Sequence, residues 1–147
     1  MELGKLMEAK VCELYKCFYG SSSIVLGGHE MSKKRYGMVI GVNPKDLEEY
    51  IRLHSNVWEA VLERIANSNI TNYSIFHRQL DSGEHVLFSY YEYVGNNYDQ
   101  DMAEIASDPT TQDWWDLCGP MQVPLKTRQV GEWWAKMTQV FEFDGGT

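Results

Sequence analysis

Three residues of one segment, Tyr50, His54 and Trp58, stand at i, i+4 and i+8. On a helix that spacing lines them up as one stripe. An imidazole with an ordinary pKa of about 6.5 can give or take a proton at neutral pH, and flanking aromatic faces can hold a ring-shaped ligand. The stripe runs beside an apolar row of Leu47, Ile51, Val61 and Ile65. The same pattern describes a helix lying on a sheet with His54 a satisfied, partly buried histidine, because periodicity is first a packing signal. Two further groups of residues fit a ligand site or a core. Trp114-Trp115, in DWWDL, would point about 100° apart on a helix, so one ring can face the core while the other faces a cleft. Tyr73, in NYSIF, shares a strand face with Ile75, opposite Asn72, Ser74 and Phe76. Its phenol can bind a ligand beneath the helix or fill the core. Trp133-Trp134 has the same ambiguity, and its irregular surroundings favour a subunit contact.

Other chemistries find no support. The chain has no GxGxxG, phosphate-cradling loop, HExxH or GxSxG. His29, His54, His77 and His85 share no metal-ligand spacing. Cys12, Cys17 and Cys118 make neither a CxxC pair nor an even-numbered disulfide framework, so no metal and no cofactor are expected, and the thiols read as free in a cytoplasmic protein. A net charge of -8 argues against nucleic acid and anionic membrane surfaces, which demand clustered Lys and Arg. No apolar run approaches the roughly 20 residues a membrane span needs, and charges interrupt the start of the chain where a secretory signal would need a continuous apolar stretch. The N-x-[ST] matches at Asn69 and Asn72 are therefore not read as glycosylation sites.

The elements that would position these residues follow from the same pattern. A chain of 147 residues, 44% of them apolar, fits one domain with one core. Residues 1–34 read as an N-terminal extension or arm: a short amphipathic stretch, then a small-residue, glycine-containing segment. The domain proper is expected over residues 35–147. RYGMVIGV (35–42) reads as a strand, and Asn43-Pro44 as the start of a helix running to about Asn67, with Asn43 as its cap. ITNYSIFHRQ (70–79) and EHVLFSYYEYV (84–94) read as a hairpin across Asp81-Ser82-Gly83. Helices are expected at 99–107 and 110–117, an irregular stretch around Gly119-Pro120 and Pro124, and a last strand at 138–143 (TQVFEF). The order strand, helix, strand, strand, helix, strand is the split βαβ, ferredoxin-like α+β arrangement. Helices on one face leave the other face of the sheet bare. In a chain with 13% aromatic residues, that face is expected to meet a second copy in a two-fold homodimer.

The run GMVIGVNPKDLEEYIRLHSNVWEAV (37–61), followed by NYSIF, HVLFSYYE, DWW and QVFEF, resembles the L-rhamnose mutarotase family, over roughly residues 35–143. The resemblance implies a dimeric ferredoxin-like α/β barrel that interconverts the α and β anomers of L-rhamnose, a monosaccharide, without a cofactor. It implies His54 as the catalytic proton donor, Tyr50 and Tyr73 as sugar-contacting tyrosines, and Trp114 and Trp115 as the paired substrate-binding tryptophans. Family members often carry His-Asn-Pro-x-Trp-Pro where this chain has His54-Ser-Asn-Val-Trp58-Glu. The segments 95–100 and 119–134 read as insertions, the latter bordering the pocket. These differences bear on which sugar is taken, L-rhamnose, L-fucose or another 6-deoxy aldose. A non-catalytic small-ligand or protein-binding barrel and a cofactor-free oxygenase of the same fold are the alternative functions.

Overall fold

A computed structural model describes residues 33–145. The proposed arm therefore lies almost wholly outside the described residues. The first strand, β1 (Lys34–Val42), is followed by a short 3-10 turn (Pro44–Asp46) and two helices, α1 (Leu47–His54) and α2 (Glu59–Asn67). Then come β2 (Ile70–Gln79), β3 (His85–Tyr93), α3 (Tyr98–Ser107) and α4 (Pro109–Cys118). Two short strands, β4 (Gln122–Val123) and β5 (Ala135–Lys136), finish the sheet. Its order is β2-β3-β1-β4, with β5 also on β1, and every pairing is antiparallel. This is the expected ferredoxin-like α+β topology. The fourth strand position is split, β4 lying on Gly41 and Val42 and β5 on Met38 and Val39, with residues 124–134 looping out between them.

All four helices pack on one sheet face. Ile40, Val42 and Leu87 meet Tyr50, Val61, Trp114 and Cys118 in the main core cluster, and Ile70, Tyr91 and Ile105 form a second. Alternation on β1 and β3 puts Val39, Phe88 and Tyr90 on the opposite face, which no helix among the described residues covers. β2 keeps its place in this scheme only through a bulge. Ile70 pairs with Tyr93, but Ile75 pairs with Ser89, so one extra residue is absorbed between Thr71 and Ser74. Asn72 there takes a positive φ of 50°, which asparagine tolerates better than most residues. The bulge inverts parity, so Ile70 above it and Ile75 and His77 below it all face the helices.

Three expectations need correction. The single helix from Pro44 to Asn67 is two helices broken at residues 55–58. Ser55 Oγ donates to the Ile51 carbonyl at 2.8 Å, and Trp58 is extended, with φ −58° and ψ 132°. Ser and Asn compete for backbone hydrogen bonds and so favour helix ends. Tyr50, His54 and Trp58 therefore do not share one helical stripe. Asn43 does not cap through its side chain; its backbone N–H donates to the Met121 carbonyl at 2.9 Å. Residues 138–143 are not a strand: the ladder lies at β5, and the chain beyond runs past Arg35, held by its ion pairs to Glu142 and Asp144. A strand needs a partner for its backbone groups, and past Gly37 this tail finds none among the described residues, leaving Phe141 79% exposed.

Candidate functional site

Between α1 and the β2–β3 hairpin lies a cleft of about 240 Å³ lined by Tyr50, Ile51, His54, Ser55, Ile75, His77 and Leu87. The amphipathic α1 turns Tyr50 inward, 3% exposed, and places His54 one turn later at its C-terminal residue. Their rings stack at 4.0 Å.

The histidine's tautomer follows from its partner. His54 Nδ1 lies 2.8 Å from the Tyr50 carbonyl oxygen. A carbonyl only accepts, so Nδ1 carries the hydrogen and, in the neutral ring, Nε2 keeps the lone pair. Burial lowers the His54 pKa below the ordinary imidazole value, against a smaller upward pull from that hydrogen bond. His54 is thus a neutral imidazole whose Nε2 lone pair can accept a proton. Burial raises the Tyr50 phenol well above its usual value, so Tyr50 stays protonated and able to donate.

Trp114 is 6% exposed and presents an edge to His54, with ring centroids 5.3 Å apart. Trp58 reaches the same ring, also edge-on at 5.3 Å, so the break between the helices still delivers Trp58 to this aromatic group. Trp115 is partly buried where the two core clusters meet. Neither Trp114 nor Trp115 lines the cleft itself; Trp114 backs its histidine. Tyr73 is exposed along the strand, yet its hydroxyl is buried beside Ser89 and its phenol is raised by that burial. Its ring meets Tyr91 edge-on at 5.5 Å, and its phenol lies close enough to that of Tyr50 to add to the rise in the Tyr50 pKa.

The structure adds residues that spacing did not reveal. His77 lines the cleft opposite α1, and its Nε2 lies 2.9 Å from His85 Nδ1 with the rings stacked at 5.1 Å. A sequence sign existed, since the hairpin at Asp81-Ser82-Gly83 pairs His77 with Leu87 and Gln79 with His85 and so sets both histidines on one face. Gln122 and Trp133 come from the segment read as an insertion. Trp133 Nε1 donates to Gln122 Oε1 at 2.7 Å, and Gln122 Nε2 donates to the Tyr50 hydroxyl at 3.4 Å. Among the described residues no three His, Cys, Asp or Glu side chains gather as a metal site.

Comparison with known proteins points the same way. The family model described as L-rhamnose mutarotase matches residues 35–143. A UPF0734 protein of Dictyostelium discoideum is 34% identical, over 70% of this chain and 83% of its own. An L-rhamnose mutarotase of Oceanobacillus iheyensis is 31% identical, over 76% of this chain and 99% of its own. The crystal structure of an L-rhamnose mutarotase from Formosa agariphila superposes with a TM-score of 0.55 at 17% identity, covering 76% of this chain and 99% of that one.

Proposed function

Because the chain belongs to the L-rhamnose mutarotase family, we propose that it interconverts the α and β anomers of L-rhamnose or a closely related 6-deoxy aldose. The observation that carries this reading is His54, held as a neutral base by the Tyr50 carbonyl in a cleft it shares with the protonated phenol of Tyr50.

Anomer exchange opens the pyranose ring and closes it again. His54 Nε2 takes the proton of the anomeric hydroxyl. The electrons left behind form the aldehyde C=O as the bond from C1 to the ring oxygen breaks, and the ring oxygen takes up a proton from Tyr50 or a water. Rotation about C1–C2 offers the other aldehyde face. On closure the C5 hydroxyl oxygen attacks C1 and gives its proton back to the Tyr50 oxygen or the water, while His54, now protonated, returns its proton to the new anomeric oxygen. The same residue is therefore donor in one half of the cycle and acceptor in the other, as reversibility demands. Trp114 holds the imidazole edge-on, and Ile75 and Leu87 provide an apolar wall suited to the methyl group of a deoxy sugar. Tyr73, Trp114 and Trp115, the other substrate-binding residues the resemblance implies, do not line this cleft, so their proposed part is to back its walls.

The active form is read as a homodimer joined through the uncovered sheet face. Exposed Phe76, Val123, Val140, Phe141 and Phe143 support that reading. A cytoplasmic setting is supported by the buried free thiol of Cys118, whose pKa burial pushes up to about 12. No helix among the described residues is long and apolar enough to cross a membrane. The test is saturation-transfer NMR on freshly dissolved L-rhamnose, L-fucose and other aldoses. Accelerated exchange with one 6-deoxy sugar, abolished in His54→Ala, is expected. Binding without exchange would replace the enzyme reading with a sugar-binding one.

A further inference from the structure

Buried phenols usually spend both their donor and their acceptor capacity. Tyr50 is almost fully buried, yet among the described residues its hydroxyl has one partner, Gln122 Nε2 at 3.4 Å. The direction of that bond follows from the next one along. An indole N–H can only donate, so the 2.7 Å contact with Trp133 Nε1 requires the Gln122 carbonyl oxygen to face Trp133. The amide NH₂ must then face Tyr50. The phenol oxygen accepts, and its own hydrogen is left unspent on a side chain that lines the cleft.

We propose that Gln122 is a positioning residue that fixes Tyr50 as a hydrogen-bond donor toward the substrate, with Trp133 holding the Gln122 amide in the orientation this requires. The assignment rests on the reading of the cleft as the sugar site, and it makes Tyr50 the proton donor at the ring oxygen, opposite the base His54. The loop that carries it is anchored for the purpose. Gln122 and Val123 form β4 against Val42 and Gly41, the Asn43 N–H donates to the Met121 carbonyl just before them, and Trp133 packs on the main core. An amide facing an indole and a phenol also adds a partial positive charge where phenolate character develops as Tyr50 gives up its proton.

The decisive variant is Gln122→Glu, nearly identical in shape. A carboxylate only accepts, so it keeps the Trp133 bond but draws the Tyr50 hydrogen toward itself and away from the cleft. Gln122→Met removes the bond and leaves the hydroxyl free to turn. In the exchange assay Q122E is expected to lower kcat on the order of 100-fold, whereas Q122M loses less than about tenfold. Tyr50→Phe should match Q122E, and the double variant Q122E/Y50F should be no slower than Y50F. Equal or greater activity in Q122E than in Q122M, or additive losses in the double variant, overturns the proposal. If near-ultraviolet circular dichroism shows Q122E unfolded, Trp133→Phe reads the same link: it should cost nothing further in a Q122M background, and additive losses there refute it. A second readout needs no turnover. The NMR signal of isotopically labelled tyrosine Cζ should shift for Tyr50 in Q122E as its hydrogen passes to a carboxylate, and an unshifted signal refutes the assignment. A wild-type protein that accelerates no aldose while this signal shifts would overturn the mutarotase reading but leave the hold of Gln122 on Tyr50 standing.

Discussion

Replacing His54 by asparagine separates its chemistry from its packing. The asparagine amide nitrogen falls near the position of imidazole Nδ1, so it can still donate to the Tyr50 carbonyl, which His54 reaches at 2.8 Å. What is lost is Nε2, the atom assigned to the sugar proton. Positioned proton transfer is worth roughly 100- to 10,000-fold, or about 3–5.5 kcal/mol of activation free energy. His54→Ala removes more. The hydrogen bond contributes about 1 kcal/mol, and the stacked Tyr50 ring at 4.0 Å and the Trp114 edge at 5.3 Å each add about 0.5–1.5 kcal/mol. The alanine variant should therefore lose roughly 2–4 kcal/mol of stability and the asparagine variant about half of that. Both should lose nearly all anomer exchange. Saturation-transfer NMR measures the rate, and thermal unfolding followed by circular dichroism measures stability. A folded His54→Asn protein that exchanges L-rhamnose at the wild-type rate would refute the assignment of the proton to Nε2, whatever the alanine variant does.

Because burial lowers the His54 pKa, its neutral, proton-accepting form persists below the ordinary imidazole range. Exchange per enzyme should stay level as pH falls to about 6.5 and drop only below it, and a drop starting above pH 7 would contradict the assigned base. Stability follows the same sign, since the unfolded histidine takes its proton first: the contribution is present above about pH 6.5 and is lost as pH falls through the folded pKa. Gly41→Ala would place a Cβ 2.7 Å from the Val123 carbonyl oxygen, displacing β4. Thermal unfolding should show a loss of roughly 1–3 kcal/mol, with a further loss of rate through Gln122. The wild-type mass by light scattering should be that of two chains. Phe76→Glu, on the uncovered face and 61% exposed in one chain, should shift it to one, and a mass unchanged by the substitution would move the interface elsewhere.

Strands β1, β2 and β3, the hairpin and α3 and α4 were legible because their patterns are local, whereas the short β4 and β5 were not. Alternation in residues 35–42 and 84–94, the Asp81-Ser82-Gly83 turn, and Asp108 accepting from the Thr111 N–H at 2.8 Å all act over a few residues. The helix break at residues 55–58 was not, because Leu53, Val57, Val61 and Ile65 keep a helical rhythm through it, while Ser55 donates both its N–H and its Oγ to the Ile51 carbonyl and the Asn56 N–H turns to the nearer Leu53 carbonyl. Tyr50 and His54 could be paired from spacing because one helix turn separates them. Gln122 lies 72 positions from Tyr50, and nothing local to either residue announces the contact. The tail 138–143 carried a genuine alternation signal, but a strand is defined by its partner, and a single sequence does not say which chain supplies it.

The extra residue in β2 has one more effect. Asn72 is the spare residue of this strand: it lets Ile70 share a face with the cleft residues Ile75 and His77 although an odd number of positions separates Ile70 from each. Deleting Asn72 would work like taking up a slack stitch, closing the bulge while Ile75 stays opposite Ser89, Phe76 opposite Phe88 and His77 opposite Leu87, so that no side chain changes face. Point substitutions would alter the pocket by degrees. A loss of one residue at this position is absorbed, whereas the same ten residues paired without the bulge would exchange cleft wall and uncovered face in one step, so tolerance of variation here is set by residue count before residue identity.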